Sequence, residues 1–403
     1  MRPRIFVLGT SAMWVALAPM IACSGGSGDA ADAGTEDGSM VPTGDAAEGA
    51  DARGPDASAP DAPGIDAGDA TMDAVPDVRA DASVDSGTDV SSDASTDANV
   101  ADVDPRPYRP PFQATIGGQA AWVHDERWAS GYFNTFDALA VGGTPRKVHV
   151  YLPRDYEVST ARYPVAYFQD GDTTFWNGGA ANKTWALGSV LDDLYARGAI
   201  VPIIVVAIHP LDRDREYTHL EAAPGRTCCG LAAYTTYVVD QVKPFVDGAY
   251  RTQAGPATTA TVGSSHGGLA AFWIATRRPE AFGKAIAMSS SFWVGLDGVF
   301  DGGPLADAVL VKDVAGTLGN VAVAPVHPTM WLDWGLVRTG GFHNAWIEDH
   351  ATTRGREMAA LLRGSYGFVS GTTLFTDEDP AGGHDEDSWH RRIGPALAAM
   401  FPR

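Results

Sequence analysis

Residues 263–268 read Gly-Ser-Ser-His-Gly-Gly, directly after the β-branched run Ala257 to Val262 and directly before Leu269-Ala270-Ala271-Phe272-Trp273. That order predicts a strand, a glycine-pinched turn and a helix, with Ser265 at the centre of Gly-x-Ser-x-Gly. A side chain at such a turn rides on strained backbone. Glycine is then needed at 263 and 267, where a Cβ would strike the neighbouring strand or helix. The Ser265 hydroxyl projects above the sheet, and the helix beginning at His266 aims its free N–H groups and positive end at it. Alone, Gly-x-Ser-x-Gly is also the pattern of an ordinary Gly/Ser turn. The flanking strand and helix favour a nucleophile.

The rest of the chain is not uniform. Met1-Arg2-Pro3-Arg4 is a short basic start, Ile5 to Ile21 is uncharged and apolar, and Ala22-Cys23-Ser24 follows at once. This predicts a secretory signal peptide over 1–22, about 17 apolar residues being marginal for a retained membrane span. Met20-Ile21-Ala22-Cys23 resembles a bacterial lipoprotein box. The resemblance implies that Cys23 is lipid-modified and that the protein is anchored in the cell envelope, at the outer membrane or cell surface. A plain secreted protein is the alternative.

Residues 24–104 contain no Phe, Tyr or Trp and carry 20 acidic residues against Arg53 and Arg79. Asp73, Asp77, Asp81, Asp85, Asp89, Asp93 and Asp97 recur every four positions, so on a helix they would stack and repel. Low hydrophobicity with one sign of charge predicts a disordered Asp/Ala-rich linker over 23–104. This stretch holds −18 of the formal net charge of −21, and the first 23 residues hold +2, which leaves 105–403 at −5. No basic patch points to nucleic acid. About 300 residues remain, enough for one large α/β domain over 105–403.

Within that domain, Lys147 to Leu152 alternates as a strand, and Val165 to Phe168 reads as a short buried strand before Asp170-Gly171-Asp172. Ile200 to Ile208 is a continuous apolar run, as in a strand covered on both faces. Further strands are predicted at 285–288, 330–333 and 372–375. Helices are predicted at 232–246, 352–363 and from about Trp389. Strands separated by helices predict a mainly parallel sheet covered on both faces, with functional groups at the carboxyl ends of the strands. Cys228 and Cys229 are adjacent. A vicinal disulfide and two buried thiols are equally compatible with them, and a metal site is disfavoured for lack of further ligands at the right spacing.

His384 lies on the glycine loop Pro380 to Asp385, after the last predicted strand and before the terminal helix. Its ordinary pKa of about 6.5 suits a group that takes a serine proton and returns it near neutrality. The chain order serine, acid, histidine is that of α/β-hydrolases. His390, six residues on, reads as a solvated or helix-capping residue. Trp176, Trp185, Tyr217, Phe292 and Trp293 are candidates for an aromatic cleft, although such side chains are more often core.

Tyr163 to Gly171, Gly263 to Gly268, Leu332-Asp333-Trp334-Gly335 and Gly382-Gly383-His384-Asp385 with Trp389 together resemble the putative-esterase family of α/β-hydrolases. That family includes enterochelin esterases, feruloyl esterases, S-formylglutathione hydrolases and mycolyltransferases. The resemblance covers about residues 113–402. It implies Ser265 as nucleophile, His384 as base, and the backbone N–H groups of Asp172 and His266 as an oxyanion hole. It implies an ester substrate and no metal or organic cofactor. The family usually places its acid about three residues after the glycine ending the preceding strand, and here that position holds Arg338. Counting back from the following helix selects Glu348, with Asp349 and Asp333 as competitors. An acyltransferase with the same residues is the alternative chemistry, since pocket dryness decides it. Arg338 is the feature that favours a third reading, a non-catalytic surface binding module.

Overall fold

The computed structural model describes residues 110–297, 302–318 and 327–403. The predicted signal peptide, Cys23 and the acidic linker lie outside the described residues. The described residues form a ten-stranded sheet in the order β1-β2-β3-β4-β6-β5-β7-β8-β9-β10. Strands β1 (Phe112–Ile116), β2 (Gln119–His124), β3 (Gly131–Leu139) and β4 (Arg146–Pro153) form an antiparallel meander. β4 pairs antiparallel with β6 (Ile204–Ile208). From β6 onward the neighbours are parallel: β5 (Val165–Phe168), β7 (Thr259–Ser264), β8 (Lys284–Met288), β9 (Thr329–Gly335) and β10 (Leu374–Asp379).

The uninterrupted apolar runs still obey the two-residue alternation of a strand. Val165 and Tyr167 face one core with Ile204, Val206 and Ile208. Ala166 and Phe168 face the other with Val205 and Ala207. On the second face lie α2 (Leu187–Ala196) and α9 (Glu386–Met400), through Leu191, Leu194, Ile393 and Leu397. On the first lie α4 (Leu231–Tyr237), α6 (His266–Arg277) and α8 (Asp349–Ser365), through Leu231, Leu269, Phe272, Met358 and Leu362. Each such side chain contributes about 1.5–3 kcal/mol on burial, so both layers are held firmly to the sheet.

The chain runs from β5 outward to β6, then returns to place β7 on the other side of β5. The crevice at the carboxyl ends of β5 and β7 is therefore where the winding direction reverses, the usual binding position in an open α/β sheet. Asp170 follows β5 and Ser265 follows β7.

Several expected boundaries shift. The strands before Lys147 escape a simple reading because much of β1 and β2 is exposed, which dilutes their apolar signal. The helix expected at 232–246 is α4, a π-helical turn over Val238–Val242, then α5 (Lys243–Ala249). Pro244, near the start of α5, has no N–H to donate, and the wider turn precedes it. β10 begins two residues later than expected and continues through Asp377-Glu378-Asp379. At the sheet margin its alternate residues can face water. α9 begins before Trp389 because Asp385 caps it, accepting from the Ser388 N–H at 2.8 Å.

Candidate active site

The turn after β7 has the geometry its glycines imply. Ser265 adopts φ 56° and ψ −123°, a conformation that costs energy for any L-residue. A Cβ at Gly263 would lie 2.2 Å from the Gly267 carbonyl oxygen, and one at Gly267 would lie 2.8 Å from Asp170 Oδ2. The Ser265 N–H donates to the Met288 carbonyl (2.9 Å), and the Leu269 N–H donates to the Ser265 carbonyl (3.0 Å). The turn is thus tied to β8 on one side and to α6 on the other.

Ser265 Oγ lies 2.9 Å from His384 Nε2, and His384 Nδ1 lies 2.6 Å from Glu348 Oε2. Ser265 is 8% exposed, His384 6% and Glu348 0%. Three of the sequence-selected side chains, 119 and 36 positions apart along the chain, thus meet in one hydrogen-bonded line. The His384 loop is held by its backbone: the His384 N–H donates to Asn344 Oδ1 (2.8 Å) and the Gly383 N–H to Ser388 Oγ (2.9 Å). The edge of Trp389 packs against the imidazole, with centroids 5.2 Å apart.

Glu348 ends a π-helical turn, His343–Glu348, and directly precedes α8. Its Oε1 accepts from the Gly335 N–H at the end of β9 and from Ser289 Oγ (2.9 Å). Burial alone would raise its pKa. The hydrogen bond and charge of His384, the Arg392 guanidinium and the Gly335 N–H outweigh burial and hold it below the ordinary glutamate value. Glu348 is therefore an anion at neutral pH, facing the imidazole.

The two competing carboxylates are placed elsewhere. Asp349 is on the surface, bonded by Arg338 Nε at 2.8 Å. Asp333 is buried on β9. It accepts from Trp331 Nε1 (2.8 Å), and its Oδ1 lies 3.4 Å from Arg392 Nε. Burial pushes Asp333 up to about 6 against the pull of Arg392 and Trp331. Arg338 itself reaches Thr352 Oγ1 (2.7 Å) and the Gly335 carbonyl (3.0 Å). It binds the loop after β9 to α8, the helix that begins just after Glu348.

Asp172 is the second residue of α1 (Gly171–Thr174), and His266 is the first of α6. Backbone N–H groups at such positions have no intrahelical acceptor. The preceding Asp170 sits at φ 55° and is gripped by Arg213 through bonds of 2.7 and 2.9 Å. The His266 ring contacts Ser291 Oγ at 2.8 Å. Burial and the charges of Arg213, His384 and Arg226 push its pKa well below the usual histidine value, so the ring is neutral.

Ser265, His266, His384 and Asp172 line a cleft of about 810 Å³. Trp293, Phe342 and Trp346 form one aromatic wall: Phe342 stacks on Trp346 (5.4 Å), whose ring meets Trp293 edge-on (5.1 Å). Of the five aromatics offered as cleft candidates, Trp293 alone lines this cleft, and Trp389, beside His384, lines it as well. Trp185, Tyr217 and Phe292 are core, and Trp176 packs against Phe133 and His149, each at 4.8 Å. Phe342 and Trp346 were missed because nothing in a loop sequence says which way a ring points. His390 is tied to the Trp185 carbonyl (2.7 Å) rather than free in solvent. Cys228 and Cys229 form a disulfide. Among the described residues, no cluster of three or more His, Cys, Asp or Glu side chains is arranged to hold a metal.

Comparison with known proteins adds the following. The family model described as "Putative esterase" matches residues 140–400. An uncharacterized protein, YbbA, of Bacillus subtilis (strain 168) is 26% identical over 153 residues, 37% of this chain and 58% of that protein. An endo-1,4-beta-xylanase/feruloyl esterase of Xylanibacter ruminicola is 30% identical over 149 residues, 35% of this chain and 19% of that protein. The match therefore spans less than two thirds of either curated relative. An IroE-like serine hydrolase from Shewanella oneidensis superimposes with a TM-score of 0.50 at 18% identity, covering 66% of this chain and 79% of that one. At that identity the likeness is one of fold.

Proposed function

Because the chain belongs to the putative-esterase family, we propose that it hydrolyses carboxylic esters through an acyl-enzyme intermediate on Ser265. The observation that carries this is the unbroken line Ser265 Oγ, His384, Glu348, with spacings of 2.9 and 2.6 Å. His384 Nε2 takes the Ser265 proton as Oγ bonds to the acyl carbon. The carbonyl π pair moves onto its oxygen, which the backbone N–H groups of Asp172 and His266 face. Collapse of the tetrahedral adduct breaks the ester C–O bond, and the alcohol leaves with the proton held by His384. Water then repeats the sequence on the acyl-serine and frees the acid. Glu348 stays ionised, holding the Nδ1–H tautomer and balancing the imidazolium.

The Trp293, Trp346 and Phe342 wall supports an ester with a bulky apolar or flat group on that side of the cleft. Cys23 is assigned as a lipid anchor and 23–104 as its tether. The support for this is the lipoprotein-like Met20-Ile21-Ala22-Cys23 and the acidic composition that follows. Turnover of p-nitrophenyl acetate by the full chain, beside Ser265→Ala, tests the chemistry. Wild type is expected to turn over at least about a thousandfold faster. Equal slow rates would reduce the protein to a binding module.

A further inference from the structure

Glu348 must offer Oε2 to His384 and keep Oε1 occupied, or the carboxylate can rotate out of line. Its backing is a buried polar cluster that the reaction outlined above does not use. Arg392, on α9 and 2% exposed, donates through Nη2 to Ser289 Oγ at 2.8 Å. Trp389 Nε1 points at the same oxygen from 3.4 Å. With two donors aimed at it, the Ser289 hydroxyl has its own hydrogen free for one acceptor, Glu348 Oε1 at 2.9 Å. The other nitrogens of Arg392 face the two buried carboxylates: Nε is 3.4 Å from Asp333 Oδ1 and Nη1 is 3.9 Å from Glu348 Oε1.

We infer that Arg392 is a positioning residue for the triad, orienting Glu348 through Ser289 and sharing its charge between Glu348 and Asp333. The inference rests on the Ser265 mechanism proposed above. Arginine suits the place because its fork carries several donors at fixed angles and never loses its charge. The charge count gives the cluster a direction. Above pH 6, where Asp333 is ionised, two carboxylates and one guanidinium carry a net −1, which protonation of His384 in the transition state brings to zero. A lone cation cannot satisfy both acids in the ground state, and the developing imidazolium supplies what is missing. The charged groups around the pair are His384 from its loop, Arg392 from α9 and Asp377 from β10, the last raising Asp333 further. The His384 imidazole is itself faced by His266 from α6 and by His343 from the π-helical turn, the latter with ring centroids 6.2 Å apart.

A cluster that acts through charge must move the acid limb of kcat/KM, which a packing role would not. The limb reports the essential base of the free enzyme. Asp333→Asn keeps shape and removes an anion, so the limb is expected about half a unit or more lower. Arg392→Gln removes the cation and is expected to raise the limb by a similar amount while lowering kcat about tenfold or more. Arg392→Lys keeps the charge but not the fork; its limb is expected near wild type with kcat still reduced. These are read on the full chain with p-nitrophenyl acetate, beside Ser265→Ala. Limbs for Asp333→Asn and Arg392→Gln that coincide with wild type would overturn the inference while leaving the Ser265 mechanism standing. Activity that survives Ser265→Ala would instead remove the mechanism itself. Should Arg392→Gln fail to fold, Asp333→Asn decides alone: a lowered limb supports the role and an unmoved one overturns it.

Discussion

Residues 263–268 and residues 336–348 each deliver one side chain to the same imidazole, and they do so by different physics. The serine turn is held by backbone sterics: positive φ at Ser265, and no room for a Cβ at Gly263 or Gly267. The acid segment has no such compulsion. It is a loop and a π-helical turn, fixed by polar contacts to other parts of the chain: Arg338 to Thr352, the Gly335 N–H and the Ser289 hydroxyl to Glu348, and the His384 N–H to Asn344. One region is specified by six consecutive residues. The other is specified by scattered partners: Ser289 just after β8, Gly335 at the end of β9, Thr352 on α8 and Arg392 on α9. The first should fail by strain and the second by loss of charge and orientation.

The largest expected effect lies on the second region. Glu348→Gln keeps shape but presents an amide to Nδ1, so kcat is expected to fall about 10³- to 10⁴-fold with the fold intact by circular dichroism. A loss no larger than that of Asp349→Asn would return the acid to open choice. On the first region, Gly263→Ala forces a Cβ to 2.2 Å from a carbonyl oxygen. Urea unfolding is expected to show a loss of several kcal/mol, together with loss of activity. An unchanged midpoint would mean that the turn has more room than its geometry allows.

Two smaller effects sharpen the contrast. Asp333 carries a pKa of about 6 in the fold against an ordinary value of 3.8. Between those values the native state binds a proton that the unfolded chain has released. Its stabilising contribution is therefore complete at lower pH and lost as pH rises through 6. Relative to wild type, Asp333→Asn is expected to gain stability from pH 4 to pH 7, by up to about 3 kcal/mol. A difference in urea midpoint that does not change with pH would contradict this. The smallest effect belongs to Asp349→Asn, which loosens an exposed pair with Arg338. It is expected to cost under about 1 kcal/mol and to leave kcat unchanged.

This division also explains what the sequence made legible. Val165–Phe168 and the Ser265 turn are readable because local rules decide them: an unbroken apolar run, β-branching and glycine at two crowded positions. Glu348 was reachable by counting back from a helix, yet spacing alone could not separate it from Asp333, four residues after Thr329 on a neighbouring strand. What separates them is partnership. Asp333 points to Trp331 and Arg392, whereas Glu348 points to His384. The roles of Ser289 and Arg392 left no mark in the sequence because neither belongs to a local motif. Their neighbours come from segments about 60 to 100 positions away. The same holds for the aromatic wall, since Phe342 and Trp346 are ordinary loop aromatics until the chain folds.

The central claim is that one hydroxyl is made nucleophilic by His384. A fluorophosphonate reagent reports this directly, because it bonds covalently to an activated serine and its adduct can be located by peptide mass. On the full chain, a single adduct is expected on the peptide containing Ser265, absent in Ser265→Ala and formed far more slowly in His384→Ala. An adduct on another residue, or one that forms on Ser265 at the same rate without His384, would contradict the account.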